Sequence, residues 1–276
     1  PLIATQLGGG MLLGTSQNAY LYGLYGLLYT LGMAGGFLVL GLGVAGKLQQ
    51  LGVNTTAELF LTKYQSPNLK KFASLLSVMT LCGILIGQIV GSRSIIDALE
   101  MNNQNEFLFI GFWVFVILYT MLGGLEAVVI TDICQVLVIL LIFTGIFIYS
   151  LIAGPTFDWA QLITIQKTWF GSLPFNTDML IATLLMPALF SLIEQDLAQR
   201  FFSARTKTIA GISALFSSAF MIIFALVPIY FGMQAKLLAL PIGITESPLI
   251  PFISFLTNEF MVVLAQCAII AAITST

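Results

Sequence analysis

Long apolar runs dominate this sequence, and they favour a fold built from helices that lie in a membrane. A run of about 20 apolar residues is long enough to cross roughly 30 Å of hydrocarbon as a helix. Cutting the chain at polar residues, glycine and proline predicts eight such segments, at residues 1–18, 20–46, 73–97, 107–123, 127–153, 178–197, 208–232 and 258–276. Because only 8% of the residues are charged and the mean hydropathy is +1.01, we predict an integral membrane protein.

The composition also argues against several classes of function. The chain has no histidine and its three cysteines lie in apolar runs, so no zinc site is expected. A net charge of −2 gives no indication of nucleic-acid binding, and no catalytic constellation indicates an enzyme or a cofactor other than a coupling ion. No linker separates soluble domains. We therefore predict one transmembrane transporter domain over residues 1–276, incomplete at both ends because each end falls inside an apolar segment.

The basic residues predict the orientation in the membrane. If residue 1 starts on the cytoplasmic side, seven of the ten basic residues lie in cytoplasmic connections, as the positive-inside rule requires. One of these connections, residues 47–72, contains LGVNTTAELFLTKY. This pattern predicts a short amphipathic helix at the membrane surface, capped by Thr55 or Thr56. Its side chains predicted to face lipid are Leu59, Phe60 and Tyr64.

The stretch ATQLGGGMLLGTS, residues 4–16, predicts a weak point in the first helix. Glycine in a helix interior costs about 1 kcal/mol relative to alanine, and a backbone group freed in hydrocarbon costs more unless it is satisfied. The glycines fit either an unwound helix that binds ligands through its backbone or close packing between helices. Pro187 predicts a second interruption, in the sixth segment. Interruptions in the first and sixth segments suit five-plus-five inverted repeats with the second repeat truncated.

Polar residues inside the segments are candidates for ion binding. Asp132 lies within the fifth segment, where an unpaired charge costs about 2.5–3.5 kcal/mol. It is either an ion ligand or proton site, or the partner of a cytoplasmic arginine or lysine. The hydroxyls of residues 274–276 suit a hard monovalent cation, although such hydroxyls also bond back to their own helix. Six further acids fall near segment ends, and we expect most of them to be solvated. They are Glu126, Glu194 and Asp196 at cytoplasmic ends and Asp97, Glu100 and Glu106 at external ends.

Residues 119–140, YTMLGGLEAVVITDICQVLVIL, resemble the signature of the sodium:solute symporter family. Further matches follow in family order, namely YGLYGLLYTLG at 22–32, KLQQLGVNTTAELFLTKY at 47–64, QDLAQRFFSARTKTIAGI at 195–212 and AAITST at the end. The resemblance implies an all-α polytopic membrane protein with the leucine-transporter type of fold. Residues 1–276 would then cover core helices one to eight, in a bacterial inner membrane.

The resemblance also implies binding sites for sodium and for a solute. Its sodium site joins the broken first helix to the eighth, and the matching positions are the carbonyls of Ala4, Leu7 and Ala272 and the hydroxyls of Ser275 and Thr276. Some members of the family hold a second cation near the aspartate of the signature, and the matching positions are Thr131 and Asp132. Solute in the family binds beside the two breaks, at positions that match Gln6, Gly8, Met11, Thr30, Pro187, Phe190 and Ser191. Phe190 would be an aromatic gate.

These residues predict a symporter that couples sodium entry to uptake of a small organic solute by alternating access. Met11 and Thr30 stand where sugar-binding relatives carry polar or acidic side chains, which favours an amino acid, a carboxylate or a vitamin over a sugar. Two alternatives stay open. The chain could be the transporter-like membrane input domain of a sensor kinase, or it could couple uptake to protons through Asp132.

Overall fold

The computed structural model describes residues 2–97, 105–155, 177–243 and 246–275, without the side chains of residues 125 and 126. Every regular element in these ranges is a helix. The α-helices are α1 Leu2–Gln6, α2 Thr15–Tyr22, α3 Leu27–Val39, α4 Ala45–Gln50, α5 Thr56–Tyr64, α6 Pro67–Asp97, α7 Asn105–Gly124, α8 Ala127–Ala153, α9 Thr177–Ile193, α10 Gln195–Phe202, α11 Lys207–Leu237, α12 Leu249–Leu256 and α13 Glu259–Ser275.

Several of these helices are long and apolar enough to cross a membrane. Within the described ranges five stretches qualify, namely Gly10–Gln50, α6, α7, α8 and α11, and the bent pair of α9 and α10 makes a sixth. The six predicted spans between residues 20 and 232 each fall on one of them. The terminal segments are helical but shorter, since α1 has 5 residues and α13 has 17. The chain is a multi-pass membrane protein.

Glycines in the left-handed region separate helices that would otherwise run on. Gly124, at φ 59°, divides α7 from α8, where the sequence predicts two spans. Gly23, at φ 62°, ends α2 and begins a 3₁₀ turn, Gly23–Gly26, that leads into α3. Residues with a Cβ rarely adopt such backbone angles, so glycine sets where each helix stops.

The predicted surface helix is present as α5. The Thr55 hydroxyl accepts a hydrogen bond from the Glu58 backbone N–H at 3.2 Å, and the Glu58 carboxylate accepts one from the N–H of Asn54, the residue before the cap, at 2.7 Å. The arrangement resembles a capping box, in which the carboxylate would accept from the cap residue itself. Phe60 and Tyr64 are exposed and stack on each other, with ring centroids 6.1 Å apart. Thr55 is therefore the cap, as one of the two predicted alternatives.

Helix α11 forms the centre of the bundle. It packs against α2, α3 and α4, and every residue from Val227 to Ala235 is buried, so this part of the helix is enclosed on all sides. Next to it, Phe147 of α8 and Phe252 of α12 surround Tyr230 in edge-to-face ring contacts. This packing holds α2 and α3 beside the first break in the chain.

Helices α3 and α9 approach each other through glycine. A Cβ added at Gly32 would overlap the Leu184 carbonyl, and one added at Gly36 would overlap the Ser191 hydroxyl. Glycine at these two positions lets the backbones come closer than any other residue would allow. The contact fixes α9, and with it the second break, against the bundle.

The second break lies at Glu194 and not at Pro187. Pro187 sits inside α9, whereas Glu194 has ψ 125° and separates α9 from α10, which are bent by 45°. The prediction of an interrupted sixth segment is thus confirmed, but its position was wrong by two turns. Proline removes one hydrogen bond, and the packing of α9 on α3 keeps the helix continuous through that point.

Candidate functional site

The first helix is broken where the glycine run predicts it. Helix α1 ends at Gln6, and Leu7 and Gly8 follow as a bend before the chain resumes as a π-helix, Gly10–Gly14. At the bend the Leu7 N–H donates to the Ile3 carbonyl at 2.9 Å, and it lies 3.2 Å from the Ala4 carbonyl. Ala4 and Leu7 are both fully buried. The break therefore brings backbone carbonyls into the protein interior.

The end of α13 meets α1 at this place. The Ser275 hydroxyl oxygen lies 3.1 Å from the Ala4 carbonyl oxygen and 2.9 Å from the Ala272 carbonyl oxygen. Ser275 is 3% exposed, and Ala4 and Ala272 are not exposed at all. Three of the five residues predicted to bind sodium thus come together across two helices. Thr276 lies outside the described residues.

The three oxygens form a small, neutral and buried cluster. The Ser275 hydroxyl can donate its hydrogen to either carbonyl, and rotation about its C–O bond turns a lone pair toward the space between them. Neutral oxygens at this spacing suit a hard cation that binds through oxygen. Leu7 is buried on the same bend.

A cavity of about 350 Å³ opens beside the first break. Four of the seven predicted solute positions line it, namely Gln6, Gly8, Met11 and Phe190. The other lining residues come from α2 and its π-helical start, from α3, from α6 and from the two breaks, and they are Thr5, Gly10, Gly14, Thr15, Asn18, Tyr29, Met33, Gly83, Ile84, Gly87, Gln88 and Glu194. The volume suits a small organic solute.

The other three predicted solute positions do not line this cavity. Pro187 and Ser191 are buried in the contact of α9 with α3, where Pro187 packs on Gly32 and the Ser191 hydroxyl donates to the Ala188 carbonyl at 2.9 Å. Thr30 is 1% exposed, and its hydroxyl has no hydrogen-bond partner within the part of the chain that the structure describes. Pro187 and Ser191 thus belong to the contact between α3 and α9.

Glu194 is the cavity residue that the sequence prediction missed. It is an exception to the expectation that most acids near segment ends are solvated, because it is only 7% exposed and lies at the second break. Its carboxyl interacts with the side chains of Gln6 and Asp196, and its Oε2 atom has no hydrogen-bond partner among the described residues. Asp196 is largely buried too, with 19% of its side chain exposed. A sequence prediction that placed the second break at Glu194 would have identified Glu194 and Asp196 as largely buried acids beside the cavity.

Asp132 is paired with an arginine. Its side chain is 1% exposed, and the Arg200 Nη2 atom lies 3.0 Å from its Oδ2 atom. The other guanidinium nitrogen of Arg200, Nη1, lies 3.8 Å from Asp196 Oδ2. Thr131 donates its hydroxyl to the Val128 carbonyl of its own helix at 2.9 Å. Of the two interpretations of Asp132 that the sequence left open, the structure contains the pairing with an arginine.

Comparison with known proteins agrees with this architecture. The chain is 26% identical over 169 residues to the uncharacterized symporter YwcA of Bacillus subtilis (strain 168), a match that covers 61% of this chain and 32% of that protein. It is 26% identical over 249 residues to the high-affinity choline transporter 1 of Torpedo marmorata, which covers 84% of this chain and 40% of that protein. The chain thus spans less than half the length of each relative. The family model that describes the sodium:solute symporter family matches residues 1–276, and the protein belongs to this family.

Proposed function

We propose that the protein is a sodium-coupled secondary active symporter that imports a small organic solute by alternating access. The observation that carries the proposal is the convergence of the Ala4 carbonyl, the Ala272 carbonyl and the Ser275 hydroxyl between α1 and α13. On this proposal the chain has the leucine-transporter type of fold, with five-plus-five inverted repeats, and lies in a bacterial inner membrane. Its two breaks, at Leu7 and Glu194, would be the interruptions of the two repeats.

The proposed sodium ligands are the carbonyls of Ala4, Leu7 and Ala272 and the hydroxyls of Ser275 and Thr276. A set of neutral oxygens offsets the dehydration of a monovalent cation without the strong attraction of a carboxylate. The ion is therefore bound and also released, as transport requires. Because the ligands belong to two helices, sodium links α1 to α13 and favours the conformation in which these helices are close together.

Sodium entry supplies the energy for solute uptake. Each cation that moves inward through a potential of 100 mV contributes about 2.3 kcal/mol, in addition to its concentration gradient. If sodium favours the conformation that binds solute, it raises the apparent affinity for solute, and solute raises the affinity for sodium by the same factor. Helix α1 supports such coupling, because Ala4 belongs to the proposed sodium site and Gln6 to the cavity.

The names of the relatives support transport over the alternatives. One is a symporter and the other a choline transporter, which favours a transporter over the input domain of a sensor kinase. Coupling to protons, or to a second cation at Thr131 and Asp132, is the weaker proposal. The Arg200 guanidinium at 3.0 Å already neutralises the Asp132 carboxylate and repels another cation from it.

The test is uptake by the complete protein in proteoliposomes, with an inward sodium gradient and then with potassium in place of sodium. We expect uptake that requires sodium and that increases when the interior is negative. Uptake that proceeds equally well in potassium would refute the sodium coupling. Uptake driven by a pH gradient in the absence of sodium would support the proton alternative.

A further inference from the structure

The cavity beside the first break contains one carboxyl group, that of Glu194, and no basic residue among the described residues of its lining pairs with it. Among the described residues that line it, Glu194 is the one with a formal charge. The remaining polar groups are neutral amides, hydroxyls and a phenol, supplied by Gln6, Asn18, Gln88, Thr5, Thr15 and Tyr29. A solute in this cavity therefore meets a carboxylate and no ammonium or guanidinium group.

The Glu194 carboxylate is buried without full compensation. The residue is 7% exposed, its Oε2 atom has no hydrogen-bond partner among the residues that the structure describes, and that atom is out of reach of solvent. Gln6 interacts with the same carboxyl group. A buried carboxylate with an open oxygen is costly unless a positive charge binds to it.

The neighbouring charges do not supply that positive charge. Arg200 is the basic residue of the cluster, but its guanidinium lies 3.0 Å from the Asp132 carboxylate and 3.8 Å from the Asp196 carboxylate. With Glu194 the cluster contains three carboxyl groups and one guanidinium. A positive charge that approaches Glu194 favours the ionised form of these carboxyl groups, so the cluster accepts a cation more readily than an anion.

The rest of the wall suits an organic cation better than a hydrated ion. Phe190 lies one turn before Glu194 and lines the same cavity, as do Tyr29, Met11 and Met33. Aromatic faces attract ammonium groups, and the thioethers of methionine are polarisable and apolar. Such a wall dehydrates a compact ion at high cost but accommodates alkyl groups on nitrogen.

We propose that Glu194 binds the positively charged nitrogen of the transported solute, so that the substrate class is a small organic ammonium compound. This inference rests on the proposed function as a symporter and adds its substrate class. Glu194 and Phe190 also line a second cavity, of about 580 Å³, between α5, α6 and α10.

The experiment is a thermal-unfolding screen of the full-length protein in sodium chloride. The probes are choline and ethanolamine, each beside the neutral analogue in which carbon replaces the charged nitrogen, and glycine betaine and proline, each beside the corresponding carbon analogue, which is a carboxylate anion. We expect at least one ammonium compound to raise the melting temperature and its carbon analogue to have no effect. If neutral or anionic solutes bind instead, or if no ammonium compound in the panel does, the proposal is wrong.

Two variants then test the residue. Glu194→Gln keeps the shape and removes the charge, and we expect it to weaken binding of the ammonium compound about tenfold or more. Asp196→Asn is the matched control, because it removes a charge from the same cluster at a residue that does not line the cavity; its loss of affinity should be clearly smaller. Equal affinity in Glu194→Gln and wild type would overturn the assignment. If Glu194→Gln fails to fold, Glu194→Asp replaces it. Its side chain is one methylene shorter, so the carboxyl group lies further from the solute and we again expect weaker binding.

A control without solute distinguishes failure of this inference from failure of the proposed function. It compares the melting temperature in sodium chloride with that in potassium chloride. Sodium stabilisation that persists in Glu194→Gln while ammonium binding is lost supports both. Ammonium binding that is equal in sodium and potassium would count against the proposed sodium coupling and leave the substrate class standing. A variant that loses sodium stabilisation but keeps its ammonium affinity would show that Glu194 serves the inorganic ion, which overturns the inference.

Discussion

Replacing Ser275 by alanine removes the one described hydroxyl that joins α13 to the first break. This hydroxyl lies 3.1 Å from the Ala4 carbonyl oxygen and 2.9 Å from the Ala272 carbonyl oxygen. Alanine keeps the helix and the backbone carbonyls, so Ser275→Ala deletes a single proposed ligand. We expect a higher sodium requirement with little change in the maximal rate of uptake.

The expected loss of sodium affinity is the difference between what the Ser275 hydroxyl contributes with sodium bound and what it contributes without sodium. Contact of the hydroxyl with a cation is worth about 1.5–3 kcal/mol, and its hydrogen bond to a carbonyl without sodium is worth about 1 kcal/mol. The variant loses both, so the net loss in sodium binding is about 0.5–2 kcal/mol. At 1.4 kcal/mol per factor of ten, this raises the half-saturating sodium concentration roughly 2- to 30-fold. Adding Thr276→Ala should raise it further.

The assay is uptake of a transported solute by proteoliposomes over a series of sodium concentrations. Thr274→Val is the matched control, since its hydroxyl accepts a hydrogen bond from the Gln135 amide at 2.8 Å instead of facing Ala4. This control should be less stable to heat but should keep its sodium requirement. The site assignment is refuted if Ser275→Ala and wild type have the same half-saturating sodium concentration, or if Thr274→Val shifts it as much.

Three further predictions test how the framework holds the site. Gly36→Ala should lower the melting temperature, because overpacking against α9 costs about 1–3 kcal/mol, whereas Gly35→Ala, with open space around it, should be neutral or slightly stabilising. Thr55→Ala should remove the cap of α5 at a cost of about 1 kcal/mol, seen as faster amide hydrogen exchange in that helix while the rest of the chain is unchanged. Arg200→Gln should destabilise the protein by about 3–5 kcal/mol because it leaves the buried carboxylate of Asp132 unpaired, and the double variant with Asp132→Asn should recover part of that loss in thermal unfolding.

The spans and the first break could be predicted because their causes are local. Apolar runs report the helices that cross the membrane, and residues with φ above zero select glycine, as at Gly124 and Gly23. The cap of α5 at Thr55 likewise depends only on contacts within five consecutive residues, 54–58. These features need no knowledge of which helices pack together.

The second break and the state of the acids could not be predicted from local sequence. Proline in the sequence predicts a kink, yet α9 packs closely against Gly32 and Gly36 and stays continuous past Pro187. Glu194 carries no such signal, and its extended backbone follows from the place where α10 turns away. Its burial depends on Gln6, 188 positions earlier in the chain, as the contact between the two side chains shows.

The same long-range contact connects the two proposed sites. Ala4 and Gln6 belong to one short helix, α1, which is attached to the rest of the first segment through the bend at Leu7 and Gly8. Sodium bound between Ala4 and Ser275 would fix the position of α1, and α1 would then fix the Gln6 amide beside the Glu194 carboxyl. A cationic solute at Glu194 would restrain the same helix from its other face. The first ligand to bind thus orders α1, and the second ligand loses less conformational entropy when it binds. In the proposed mechanism this shared restraint of α1 makes the binding of sodium and solute cooperative.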